Sequence, residues 1–150
     1  VEPETVEAGT QLADELGDHL LCSPDGKRYL VDLSDTATAR RIGDVMVEVF
    51  RKYRVGWTRF DSNLDPERFW NTISDPGERG YREMRHFEGL YGLLDRLRVE
   101  FPELHIETCS SGGLRIDVEI LRRSHSIWIS DNTVFPATMR QHVGGANRFL

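Results

Sequence analysis
Two aspartates sit among residues that suit acid–base and nucleophilic chemistry. Asp61 lies in Thr58-Arg59-Phe60-Asp61-Ser62-Asn63, with a cation and an amide two residues to either side. Alternation along a strand puts Arg59, Asp61 and Asn63 on one face. Asp131 lies in Ile127-Trp128-Ile129-Ser130-Asp131-Asn132-Thr133. Two carboxylates facing each other suit glycoside cleavage. A retaining enzyme needs one ionised as nucleophile and one protonated as acid, ~5–5.5 Å apart. Arg59 is expected to favour the ionised form of Asp61, and the apolar residues before Asp131 to leave it less solvated and protonated. A single Asp after a strand is more often a cap or turn former. Asp32, followed by Leu33-Ser34-Asp35, is read that way. Glu107 and Cys109 also stand at a strand end, ahead of Ser110-Ser111-Gly112-Gly113. Adjacent glycines let backbone approach a ligand closely, or serve a tight turn at positive φ. Spacing alone leaves both readings open.

Side chains so spaced must be brought together by the ends of strands. A short helix is expected over Thr10 to Leu21, with Leu12, Ala13, Leu16 and Leu20 on one face, then a buried strand at Tyr29–Leu33. Ser34 or Asp35 caps a helix carrying Ile42, Val45, Met46, Val49, Phe50 and Tyr53. Val55–Phe60 reads as the next strand, residues 62–79 as a polar loop, and Met84 to Phe101 as a second strong helix stopped by Pro102. Leu104–Glu107 is a strand, Leu114–Arg123 a short helix and Ile127–Ile129 the last strand, with another helix from Phe135. Residues 1–3 fit the end of an earlier strand. Alternating strands and helices predict parallel strands joined by crossovers, with both sheet faces covered. A doubly wound sheet and a (β/α)8 barrel both fit. A complete barrel needs ~250 residues, so the 150 present hold four or five strands. Asp61 and Asp131 are 131 − 61 = 70 positions apart, about two βα units.

Composition narrows the function classes. Hydrophobic residues make up 39% and charged residues 29%, a globular balance. Net charge is −6, and no run of Lys and Arg exceeds two or three residues, which argues against nucleic acid or an anionic membrane as partner. No apolar run approaches the ~20 residues of a membrane helix. Val1-Glu2-Pro3-Glu4 has no basic region leading into an apolar one, so a cytoplasmic setting is the expectation. Cys22 and Cys109 have no metal-like spacing and make no disulfide framework.

Four ordered motifs together resemble glycoside hydrolase family 36, the melibiase-type α-galactosidases. That family has Glu-Pro-Glu, Lys-Trp-Asp-Met-Asn, Glu-Ser-Cys-(Ala/Ser)-Ser-Gly-Gly and Trp-Thr-Ser-Asp-Asn-Thr on successive strands. Here they read Glu2-Pro3-Glu4, Arg59-Phe60-Asp61-Ser62-Asn63, Glu107-Thr108-Cys109-Ser110-Ser111-Gly112-Gly113 and Trp128-Ile129-Ser130-Asp131-Asn132-Thr133. Gly89-Leu90-Tyr91 and Phe101-Pro102 also fall where the family has them. The resemblance implies an incomplete α/β (β/α)8 TIM barrel, about strands three to six, with residues 1–150 a fragment of the catalytic domain. It implies a retaining α-galactosidase working through a covalent glycosyl-aspartate, with an α-N-acetylgalactosaminidase as the related alternative. Asp61 matches the nucleophile and Asp131 the acid/base. Arg59 and Asn63 match sugar contacts, and Cys109 and Gly112 match residues lining the sugar pocket. No metal or cofactor is implied. The implied partner is a small carbohydrate, and the full-length parent is a candidate homo-oligomer. Arg59 and Phe60 replace the family's Lys and Trp, and Val134 stands where a second Asp is usual. A planar guanidinium reaches different hydroxyls from an ammonium, so these departures bear on galactose more than on the α-glycosidic bond.

Two other readings compete. Asp61, Glu107 and Asp131 could ligate a magnesium ion in a proton-abstracting barrel enzyme, but the Cys-Ser-Ser-Gly-Gly turn has no role there. A fragment that only binds sugar, or only packs, is the non-enzymatic reading. His86, His105, His125 and His142 are expected in structural or surface roles, and Trp57 and Trp70 in core packing.

Overall fold
The computed structural model describes residues 1–149, with side chains described to Gly145. The chain opens with three short strands, β1 (Thr5–Glu7), β2 (Leu20–Cys22) and β3 (Arg28–Val31), with helix α1 (Gln11–Leu16) between the first two. They form an antiparallel sheet in the order β1-β3-β2. This corrects two expectations. The helix expected over Thr10 to Leu21 ends at Leu16, because Gly17 turns at φ 48° and a 3-10 turn feeds Leu20 and Leu21 into β2. The Tyr29–Leu33 strand is not part of a parallel set. It follows β2 through the tight turn Ser23-Pro24-Asp25-Gly26, and so short a link can join only antiparallel strands. Asp25 accepts from the Ser23 hydroxyl at 2.6 Å, and Gly26 takes φ 71°.

Helix α2 (Thr36–Tyr53) is capped by Asp35, whose Oδ2 accepts from the Thr38 N–H and hydroxyl at 2.7 Å each. Its Ile42, Met46, Val47 and Phe50 are buried. β4 (Trp57–Phe60) follows, and then helix α3 (Pro66–Trp70) inside the stretch expected as loop. Phe69 and Trp70 fold inward from α3, which explains a helix in so polar a segment. Helix α4 (Pro76–Glu100) starts at the capping Asp75 with proline in its first turn and buries Leu90, Leu93, Leu94 and Leu97. β5 (His105–Thr108), α5 (Val118–Arg123), β6 (Ser126–Ile127) and α6 (Ala137–Phe149) complete the described chain. The expected helix from Leu114 starts at Val118 instead, because Asp117 caps it at the Ile120 N–H and Leu114 is exposed.

β4, β5 and β6 form a parallel sheet in that order. Val1 runs beside β4: its nitrogen donates to the Arg59 carbonyl at 2.7 Å, and its carbonyl accepts from the Asp61 N–H at 2.9 Å. That two-sided bonding is how a parallel neighbour pairs. Thr58, Phe60, Ile106 and Thr108 are buried, and Phe60 and Ile106 share one core with Ile42, Phe50, Leu90 and Leu97. The alternate residues Trp57, Arg59, His105 and Glu107 are more open, so one face of the sheet is apolar and the other largely polar. Trp57 is on that second face and 52% exposed, which corrects its expected place in the core. Trp70 is buried in a second, smaller core with Leu21, Leu30, Phe69 and Ile73. The architecture is α/β, with a parallel sheet whose strand ends carry the residues singled out above and an antiparallel unit packed beside it.

Candidate active site
Asp61 is the first residue past β4. Its Oδ1 accepts from the Ser62 N–H at 2.8 Å and from the Ser110 and Ser111 N–H groups at 3.1 Å each. The two serine donors at 3.1 Å come from the turn after β5, where Ser110, Ser111, Gly112 and Gly113 take φ values of 70°, 45°, 76° and 87°. Turns that aim successive N–H groups one way make anion-binding concavities. Left-handed backbone costs each serine roughly 1–2 kcal/mol, and the bonds to Asp61 help offset it. Burial pushes the Asp61 carboxyl up, but the Ser111 N–H, the Cys109 thiol, the Ser62 N–H and the Asn63 amide together hold it below the usual aspartate value. Asp61 is therefore held ionised, as expected, but not by Arg59. The Arg59 Nε donates to Glu107 Oε1 at 2.5 Å, and its guanidinium lies 4.3 Å from the Trp128 ring centroid.

Cys109 is buried beside this turn. Burial pushes its thiol up, and the carboxylates of Asp61 and Asp131 add to that, so it stays a neutral donor. Asn63 is exposed and bridges two segments: its Nδ2 donates to Glu2 Oε1 at 2.7 Å, and its Oδ1 accepts from the Ser111 hydroxyl at 3.2 Å.

The same turn meets Asp131. A Cβ on Gly112 would lie 2.6 Å from the Asp131 nitrogen and 3.2 Å from its Cγ, so only glycine fits. Asp131 Oδ1 accepts from the Trp128 indole N–H at 2.8 Å. The expected desolvation of Asp131 is absent, because β6 ends at Ile127 and Asp131 stands on an exposed loop past the apolar residues before it. Asp61 and Asp131 thus share one turn, Asp61 through its N–H groups and Asp131 through its glycine. Glu107 does not join them. It is held by Arg59 and by the Ser126 hydroxyl at 3.2 Å, and among the described residues no three His, Cys, Asp or Glu side chains gather as metal ligands.

Sequence reasoning missed a buried polar group next to this site. Glu4 Oε2 accepts from Arg115 Nη1 at 2.6 Å, and Glu4 Oε1 lies 2.7 Å from His86 Nε2. His86 Nδ1 accepts from the Leu33 N–H at 3.1 Å, which leaves the ring proton on Nε2, directed at Glu4. Burial pushes the Glu4 carboxyl up, but the Arg115 charge and the His86 bond outweigh it and lower it to about 2. His86 is structural, as expected. The acidic motif at Glu2 and Glu4 was visible, but nothing in the sequence tied Glu4 to residues 82 and 111 positions away. Asp32 accepts from the Ser34 N–H at 2.9 Å, the expected turn role, and also pairs with Arg82 on α4.

The family model described as Melibiase matches residues 1–143. Alpha-galactosidase 1 of Pediococcus pentosaceus is 29% identical over 139 residues, covering 89% of this chain and 19% of the relative. The alpha-galactosidase of Escherichia coli is 30% identical over 142 residues, covering 88% and 19%. The crystal structure of the GH36 alpha-galactosidase AgaA from Geobacillus stearothermophilus superposes with a TM-score of 0.82 at 25% identity, over 96% of this chain and 21% of that one. The chain therefore spans about a fifth of the length of the curated relatives it matches. With a family model matched over nearly all its residues, the chain belongs to the Melibiase family.

Proposed function
We propose that this chain carries the nucleophile and the acid/base of a retaining α-galactosidase, in a fragment spanning strands three to six of a (β/α)8 catalytic barrel. The parallel order β4-β5-β6 with Val1 beside β4 supports four consecutive barrel strands. Their polar C-terminal ends are where barrel enzymes place chemistry. The observation that carries the reading is the set of three backbone N–H groups on Asp61 Oδ1, two of them from a turn that also touches Asp131.

In the first step an Asp61 oxygen attacks the anomeric carbon while the glycosidic C–O bond breaks. The Asp131 proton passes to the departing oxygen, so the leaving group departs neutral as an alcohol. In the second step Asp131, now a carboxylate, takes a proton from water. The water oxygen attacks the same carbon, and Asp61 departs as a carboxylate with its N–H bonds re-formed. Arg59, Asn63, the Cys109 thiol and the Gly112 backbone line the sugar side. Crystal structures of AgaA variants are described in complex with raffinose and stachyose, and terminal α-galactosides of that kind are the substrate class proposed here.

Product stereochemistry tests the roles in a full-length protein carrying this chain. Asp61→Gly with azide is expected to release a β-galactosyl azide, because azide takes the nucleophile's place on the β face. Asp131→Ala with a nitrophenyl α-galactoside is expected to accumulate galactosyl-enzyme, which azide resolves to the α-galactosyl azide. The reverse pattern by NMR would exchange the roles. Full activity of either variant would remove that residue from the reaction, and preference for an α-N-acetylgalactosaminide would change the sugar but not the mechanism.

A further inference from the structure
Asp131 stands on an exposed loop, and among the described residues the Trp128 indole N–H is the one hydrogen bond its carboxyl takes, at 2.8 Å. Trp128 is held from two sides. Its backbone N–H donates to the Thr108 carbonyl at 2.8 Å, extending the β5–β6 ladder by one residue. Its ring lies under the Arg59 guanidinium, 4.3 Å from centroid to Cζ, a separation that supports a cation–π contact. Arg59 is fixed in turn by Glu107, which also accepts from Ser126 at 3.2 Å. The register aligns Arg59 with Glu107 and Glu107 with Ser126, so this polar row crosses all three parallel strands. Arg59 precedes Asp61 by two residues and Trp128 precedes Asp131 by three. The stack therefore joins the strand carrying one carboxylate to the strand carrying the other.

We infer that Trp128 is a positioning residue for Asp131, held in place by the Glu107–Arg59 pair; this rests on the acid/base role proposed for Asp131. The indole N–H occupies Oδ1 as acceptor, so the acidic proton resides on Oδ2. Rotation of the carboxyl is then limited to settings that keep the N–H bond, and Oδ2 is aimed instead of swinging freely in solvent. Arg59 acts here through the Trp128 ring, apart from any hydroxyl it reaches with its remaining N–H groups.

The test is Trp128→Phe in the full-length protein, which keeps an aromatic ring for Arg59 and removes only the donor. Turnover is compared for raffinose, whose sucrose is a poor leaving group, and for a nitrophenyl α-galactoside, whose nitrophenolate departs without a proton. We expect kcat/KM for raffinose to fall ~10-fold or more and that for the nitrophenyl substrate less than ~3-fold, because only the first needs an aimed acid. An equal fall on both substrates would mean a merely structural role and overturn the inference, as would no fall on either. Asp131→Asn, run in parallel, separates the two levels. If it shows no leaving-group dependence, Asp131 is not the acid and both proposals fail. If it does and Trp128→Phe does not, only the positioning role fails. Glu107→Gln loosens Arg59 without touching the indole. It should show the same asymmetry at smaller size, and it decides the matter if Trp128→Phe does not fold.

Discussion
Gly112 and Glu4 show how single residues hold the site. At Gly112, alanine would combine a left-handed φ of 76° with a Cβ 2.6 Å from the Asp131 nitrogen. The backbone strain costs roughly 1–3 kcal/mol. The larger effect is displacement of Asp131, and a misplacement near 1 Å can lower rate ~100-fold. Gly112→Ala in the full-length protein is therefore expected to lose far more kcat/KM than its thermal midpoint alone would imply. For Glu4 the sign follows from its depressed carboxyl. A shift from 4.5 in the unfolded chain to about 2 in the folded one is worth about 3 kcal/mol. That stability is complete well above pH 4.5 and is lost as pH falls toward 2. Urea unfolding at a series of pH values should show the loss in the native protein and a flatter profile in Glu4→Gln. At neutral pH the same variant leaves Arg115 without its partner and should lose about 3–5 kcal/mol.

At the scale of elements, helix α4 packs so closely on the segment after β3 that a Cβ on Gly89 would lie 2.1 Å from the Leu33 carbonyl oxygen. Alanine is the better helix former by about 1 kcal/mol, but a backbone clash cannot relax by a rotamer change. Gly89→Ala should destabilise by roughly 1–3 kcal/mol. At Gly92, one turn along the same helix, nothing lies within 4 Å of the added carbon. Gly92→Ala should stabilise by up to about 1 kcal/mol. Denaturant midpoints of the two variants should move in opposite directions. The two long helices were legible because their buried residues recur at three and four over many turns, with Asp35 in place as a cap. The β1-β3-β2 unit was not, because three-residue strands carry too little alternation to show whether a partner is parallel. The turn signature at Ser23–Gly26 was the available clue. The site divided the same way. Asp61, Asn63, Cys109, Gly112 and Asp131 could be read from motifs, whereas the partner of Arg59 depended on strand register and the solvation of Asp131 on how early β6 ends.

Across the whole molecule, the parallel sheet has open sides. Among the described residues β6 pairs only with β5, and beyond β4 lies only Val1. Trp57, Leu114, Val118, Val134 and Phe135 are each more than half exposed. Unpaired edges and exposed apolar side chains favour association. Expressed alone, residues 1–150 should show a sedimentation coefficient and a melting midpoint that rise with concentration; a reversible, concentration-independent monomer melt would contradict this. The division of the interior into two cores has a further consequence for motion. β3 contributes Val31 to the larger core and Leu30 to the smaller one, where Leu30 and Leu21 of β2 are covered by α3 and Ile73. The small core can therefore come apart by release of α3 alone, a partial opening that leaves the β4-β5-β6 ladder intact. Amide protons of residues 66–73 should then exchange with deuterium well before those of 105–108, and Trp70, whose ring borders His86, would report the opening by its fluorescence while the parallel sheet stayed folded.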